Sequence, residues 1–242
     1  MFEYAYDFMA IGAHSDDIEI SCAGSIIKMI NEGKKGVLVD LTIASAASRG
    51  TVEDRLREGQ EAARRMGGIE RINLGFPDAH LQNNEETQKA LLLLIRKYRP
   101  KLLLTHPKYT HHPDHNTTHQ LVLDAWFKAG LKALYPESKE FRPHRVFFFH
   151  ALSLVTNPDF AIDITHEYKQ KKDVISAFQS QFSETNVEGN VGVAPLSKKN
   201  LEKLEAIHLE MGRKINKKYA EGFSCWELPE VRSLTDLEGE SH

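Results

Sequence analysis

Short apolar runs alternate with amphipathic stretches along most of this chain. Residues 8–13, 37–42, 69–74 and 102–105 are brief, mostly apolar runs bounded by turn or charge signals. Runs of this length that stay apolar on nearly every position predict strands buried on both faces of a sheet. Between them the apolar residues recur at helical spacing: Ala23, Ile26, Ile27 and Ile30 up to a stop at Gly33, and Leu56, Ala62, Ala63 and Met66 up to Gly67-Gly68. An amphipathic stretch over 87–98 is closed by Arg99-Pro100, and Leu121, Val122, Ala125, Trp126 and Ala129 mark a helix over 116–130. Further strands are predicted at 145–150 and 160–164, a helix at 169–182, and a long helix from a Ser197 cap to about Lys218. Residues 183–195, with Gly189, Asn190 and Gly192, read as a mobile loop, and residues 219–223 as the entry to a C-terminal tail.

Strand, helix, strand units imply parallel pairs with right-handed crossovers. The fold class expected is α/β, a mainly parallel sheet with helices on both faces, with residues 1–242 as one domain. No internal repeat, low-complexity tract or interdomain linker interrupts the pattern.

Two polar clusters stand out because they follow predicted strands. His14-Ser15-Asp16-Asp17-Ile18-Glu19 ends the first strand, and His111-His112-Pro113-Asp114-His115 lies in the loop expected after the fourth, over 106–115. Ligands of an open parallel sheet bind beyond the carboxyl ends of its strands, so the two clusters can converge. A catalytic zinc takes three His and carboxylate ligands and keeps a position open, and water on such an ion reaches a pKa near 7. His14 and Asp17 across a strand-to-helix turn, with His115 from the second loop, supply such a set. Asp16 is then a general base, His112 a proton donor or oxyanion stabiliser, and Asp114 its orienting partner. Taken alone, each cluster also fits a simple alternative, because Asp is favoured at helix N-termini for capping and a His-Pro-Asp stretch is an ordinary polar turn. His106, Tyr109 and His111 read as ordinary loop polarity.

Composition narrows the partners. A formal net charge of -3 argues against a protein that binds nucleic acid by neutralising phosphates, and small molecules are the expected partners. No run approaches the ~18–20 apolar residues that span a bilayer, and no basic stretch precedes an apolar one at the N-terminus, so neither membrane insertion nor secretion is expected. Two cysteines far apart, Cys22 and Cys225, suit a reducing cytoplasm, unpaired.

Ala13-His14-Ser15-Asp16-Asp17-Ile18-Glu19 resembles the Ala-His-Pro-Asp-Asp-x-Glu motif of the LmbE-like, or PIG-L, zinc-dependent de-N-acetylases, and His112-Pro113-Asp114-His115 resembles their His-x-Asp-His motif. The likeness extends through Arg49-Gly50-Thr51, residues 73–78, 158–164, Ser180-Gln181-Phe182 and 219–223. It is most similar to the bacillithiol-pathway branch, which removes acetate from N-acetylglucosaminyl malate. The resemblance implies a Rossmann-like fold, often a homo-oligomer such as a hexamer. It implies Zn2+ on His14, Asp17 and His115; sets of His and Asp ligands accept other divalent ions too, such as Fe2+. It further implies Asp16 as base, His112 with Asp114 at the oxyanion and leaving amine, and Arg49 and Asp78 at sugar hydroxyls. Glu19 is left open, as a second partner of the site or an acid in a first helical turn. Ser15 replaces the motif's proline, and Ala44-Ser45 stands where the family carries Gly-Glu, so a carboxylate expected near the substrate is missing. Other readings are a deacylase or amidase of the same family acting on another glycoside or an acylated antibiotic, and a non-catalytic metal- or sugar-binding module.

Overall fold

Four strand and helix pairs lead the chain: β1 (Tyr6–Gly12), α1 (Asp17–Asn31), β2 (Gly36–Thr42), α2 (Val52–Arg65), β3 (Glu70–Phe76), α3 (Glu85–Tyr98), β4 (Pro100–Thr105) and α4 (Pro113–Ala129). They are followed by β5 (Arg145–Phe149), β6 (Phe160–Asp163), α5 (Tyr168–Ile175), a 3-10 turn (Gln179–Gln181), α6 (Lys198–Lys214) and β7 (Ala220–Cys225). This computed structural model describes residues 4–43, 45–46, 49–151, 157–182, 196–231 and 233.

The seven strands form one sheet in the order β3-β2-β1-β4-β5-β7-β6. The first five run parallel, and β7 runs antiparallel to both β5 and β6. From β1 the chain steps outward to β2 and β3, then returns to start again at β4. That reversal opens a crevice beyond the carboxyl ends of β1 and β4, the place where an α/β sheet binds ligands. Alternate residues of β1 serve opposite cores, Phe8 and Ala10 with α1, α2 and α6 on one face, Met9 and Ile11 with α3 and α4 on the other. Both faces are therefore covered, as the unbroken apolar runs predict.

Three boundaries differ from the sequence expectation. α4 begins at Pro113 with His112 as its cap, so Asp114 and His115 stand in a first helical turn and not in a loop. Proline suits that position because its missing N–H is one a helix start leaves unpaired anyway. The helix expected over 169–182 is the short α5 plus a 3-10 turn, and α6 stops at Lys214. The segment expected to be a tail is a strand, β7, wedged between β5 and β6. A glycine and a buried glutamate in its middle hide the apolar pattern that would have marked it. The loop expected at 183–195 lies outside the described residues.

Gly212 allows α6 to turn back into β7, because a Cβ there would sit 2.5 Å from the Lys218 carbonyl oxygen. Backbone cannot yield as a side chain can, so Gly212→Ala is expected to destabilise the protein by about 1–3 kcal/mol, read as a lower midpoint in urea unfolding.

Candidate metal centre

β1 ends in a tight turn. A Cβ on Gly12 would lie 3.1 Å from the His14 carbonyl and 3.2 Å from Asp17 Cβ. The Ala13 carbonyl accepts from both the backbone N–H and the hydroxyl of Thr42, each at 2.9 Å, which ties the turn to β2. The His14 N–H donates to Asp17 Oδ2 at 2.7 Å, folding the ligand loop onto the start of α1.

Across the crevice, α4 brings His115 against this loop. His14 Nδ1 lies 3.3 Å from Asp17 Oδ2 and 3.3 Å from His115 Nε2, and His115 Nε2 lies 3.1 Å from Asp17 Oδ1. Metal bonds of about 2.0–2.1 Å in tetrahedral geometry put neighbouring donors about 3.3–3.4 Å apart. The two imidazoles and the Asp17 carboxylate, which faces His14 with one oxygen and His115 with the other, are thus gathered closely enough to serve one divalent ion. Three overlapping groups of donors lie close enough to hold an ion among the described residues: His14 with His112 and His115, Asp17 with His106 and His115, and His14 with Asp78 and Asp114. His106 Nε2 lies 3.1 Å from both the Ala13 nitrogen and Asp17 Oδ2, accepting from the first when bare or donating to the second when protonated.

Carboxylates stand behind the donors. His14 Nε2 meets Asp78 Oδ1 at 3.0 Å and Asp114 Oδ2 at 3.3 Å, which keeps a proton on that nitrogen and leaves Nδ1 for a metal. Asp114 is itself held by the Ala79 and Leu81 N–H groups, at 2.8 and 3.3 Å. In the metal-free protein burial opposes charge on His14, but Asp17 and then Asp114 and Asp78 outweigh it, leaving the pKa well above 6.5. Burial likewise opposes charge on Asp17, and His115, His106 and His14 hold its pKa well below the usual carboxylate range.

These contacts give Asp114 and Asp78 partners other than those expected. Asp114 faces His14, and what it gives His112 is its backbone N–H, donated to Nδ1 at 3.2 Å. That bond places the His112 proton on Nε2. Burial, followed by the charges of His14 and His115, lowers the His112 pKa, which favours the neutral ring. Asp78, expected at sugar hydroxyls, is engaged with His14, and its own N–H donates to Ser45 Oγ at 3.2 Å. Ser45 thus supports the Asp78 turn. Arg49, also expected at the substrate, lies in the turn before α2, where its carbonyl accepts from Gln181 Nε2 at 3.1 Å.

The sequence reading missed three residues of this region. His106 is fully buried, stacks on the His115 ring at 4.1 Å, and has its pKa pushed down to about 4, by burial first. Arg55, buried in α2, meets Asp16 Oδ1 at 3.2 Å. Arg71, in β3, donates to both Asp40 oxygens at 2.7 and 2.8 Å, to Glu19 Oε1 at 2.5 Å, to the Ser15 carbonyl at 2.6 Å and to the Gly59 carbonyl at 3.2 Å. All five of its N–H groups are used. This settles Glu19 as a partner of Arg71 behind the ligand loop. The only sequence sign of it was an acid two positions beyond Asp17 that no local basic residue answers.

The chain resembles proteins of known kind. A family model described as "PIG-L: GlcNAc-PI de-N-acetylase" matches residues 9–126. The uncharacterized deacetylase YaiS of Escherichia coli (strain K12) is 33% identical over 122 residues, 48% of this chain and 64% of that protein. The diacetylchitobiose deacetylase of Thermococcus kodakarensis is 27% identical over 196 residues, 73% of this chain and 70% of that protein. The crystal structure of the conserved protein TT1542 from Thermus thermophilus superposes with a TM-score of 0.84 at 30% identity, covering 95% of this chain and 98% of that one.

Arg71→Met would leave two buried carboxylates without their cation, and is expected to destabilise the fold by about 3–5 kcal/mol, measured by urea unfolding. Burial pushes Glu19 up to about 7 from 4.5, with Arg71 opposing. Its contribution to stability is fully present below about 4.5 and is lost as pH rises through about 7. Unfolding of the metal-free protein at pH 5 and pH 7.5 should therefore show Glu19→Gln gaining on the wild type as pH rises.

Proposed function

We propose, since the chain belongs to the PIG-L/LmbE-like deacetylase family, that it is a Zn2+-dependent hydrolase that removes the N-acetyl group from an N-acetylglucosamine-type substrate. The products are acetate and the free amine. The observation that carries the reading is the convergence of His14, Asp17 and His115, whose ring nitrogens lie 3.3 Å apart and 3.1–3.3 Å from one or other oxygen of the carboxylate. When bound there, zinc supplies a Lewis acid for the amide carbonyl and lowers the pKa of water.

The protein's own groups do the rest. Asp16, fixed through one oxygen by Arg55, takes the proton of the attacking water on the other and returns it to the leaving nitrogen. His112, its proton held on Nε2, donates to the oxyanion that forms from the carbonyl. Asp78 and Asp114 hold the His14 ring in the orientation that binding needs.

On the substrate, our reading is N-acetylglucosaminyl malate, following the resemblance to the bacillithiol branch, with Arg49 as a contact. The matched deacetylase of Thermococcus kodakarensis is named for another N-acetylated amino sugar, diacetylchitobiose, which supports the substrate class. We place the enzyme in the cytoplasm, as a homo-oligomer acting on a small soluble molecule. Among the described residues no helix is long and apolar enough to cross a membrane. A second reading, deacylation of a different glycoside or an acylated antibiotic, is favoured by Ser45, whose hydroxyl braces the Asp78 turn where the family carries a glutamate.

Asp16→Asn should keep stoichiometric zinc yet lose activity by about 10²- to 10⁴-fold, assayed as acetate released from a panel of N-acetylated glucosamine derivatives. Unchanged turnover would exclude Asp16 as the base. Release from acylated glycosides alone would favour the second reading.

A further inference from the structure

Helix α1 is broken at Cys22 (φ −146°, ψ 18°), one turn after Asp17. In an unbroken helix the Gly24 and Ser25 N–H groups would donate to the carbonyls of Ile20 and Ser21. Here they donate to the two carboxylate oxygens of Glu221, at 3.0 and 2.7 Å. Lys171 Nζ donates to the Ile20 carbonyl at 2.8 Å and to Glu221 Oε1 at 2.6 Å. A side-chain ion pair is spliced into the backbone ladder of the helix that carries Asp17 and Glu19.

The third ammonium N–H of Lys171 reaches His208 Nε2 at 3.2 Å, which requires a bare nitrogen there. Burial and then Lys171 hold the His208 pKa well below its ordinary value, consistent with that neutral ring. Lys171 and Glu221 are 0% and 1% exposed. A buried pair is weak evidence for stability, because desolvation offsets much of the attraction. Its clear product here is geometry. The break lets Gly24 close on Ile164, where an added Cβ would lie only 2.8 Å from that side chain. The turn before the break is pinned at its other end by Arg71, through Glu19 and the Ser15 carbonyl.

We propose that Lys171 and Glu221 are positioning residues for the metal centre: by taking over the hydrogen bonds of Ile20, Gly24 and Ser25 they fix the break in α1, and with it the direction in which the first turn presents Asp17. The inference rests on the metal reading above. Both residues lie outside the 9–126 segment that the family model matches. The C-terminal part of the chain, through α5 and β7, therefore helps to shape the N-terminal half of the site.

The test uses Zn2+ alone, added to the full-length metal-free protein in competition with a chelator, and Co2+ as a spectroscopic substitute. Glu221→Gln, Lys171→Met and the double variant, which leaves no unpaired buried charge, are compared with Ile95→Ala, a cavity in the core on the other face of the sheet. The clamp variants should bind Zn2+ about 10- to 100-fold more weakly and shift the Co2+ absorption bands. Ile95→Ala, with a comparable loss of thermal stability, should change neither. In the wild type, Zn2+ should slow amide hydrogen exchange at Gly24 and Ser25, since coupling between two sites is reciprocal; this reading decides the matter if the variants fail to fold. Zn2+ affinities within about twofold of wild type in folded variants, or unaltered exchange at both amides, would overturn the inference. A wild type that binds no Zn2+ at all would instead sink the metal reading, and this inference with it.

Discussion

The guanidinium of Arg71 is the tie on which the site depends. Its side chain is buried, and it joins β3 to α1 through Glu19, to β2 through Asp40, to the ligand loop through the Ser15 carbonyl and to α2 through the Gly59 carbonyl. A planar fork with five fixed donors can do this where a lysine could not. Without it, the buried carboxylates of Glu19 and Asp40 would lack their cation. With it, the turn after β1 is held from below and Asp17 faces into the crevice.

Above that tie, the site is a cluster of carboxylates around one imidazole. Asp17, Asp78 and Asp114 surround His14, and Asp16 lies beside them with Arg55. Burial alone would neutralise these groups, yet their mutual contacts keep His14 charged and Asp17 ionised in the metal-free protein. A divalent ion bound at His14 Nδ1 would take the place of a proton there, and the same carboxylates that favour charge on that ring would favour the ion.

How much of this was legible in the sequence follows from how local each feature is. The turn holding His14 and Asp17 was readable because strand, turn and helix are adjacent in the chain. The convergence with His115 was readable from the parallel-strand pattern and the rule for its carboxyl edge. Arg71 and His106 were not, because their partners come from other strands and nothing nearby marks them as buried. β7 escaped notice for the same reason: its hydrogen bonds go to β5 and β6, far upstream, and its own residues include Glu221, which serves α1. His112 shows a finer limit, since the motif names the residue but only the Asp114 N–H fixes its tautomer.

X-ray absorption on the zinc-loaded protein tests the central claim most directly. With His14, Asp17 and His115 as ligands, the zinc should show about four light scatterers at about 2.0–2.1 Å, two of them imidazole nitrogens. Three imidazoles, as the alternative set with His112 would give, or a shell of oxygens alone would contradict it.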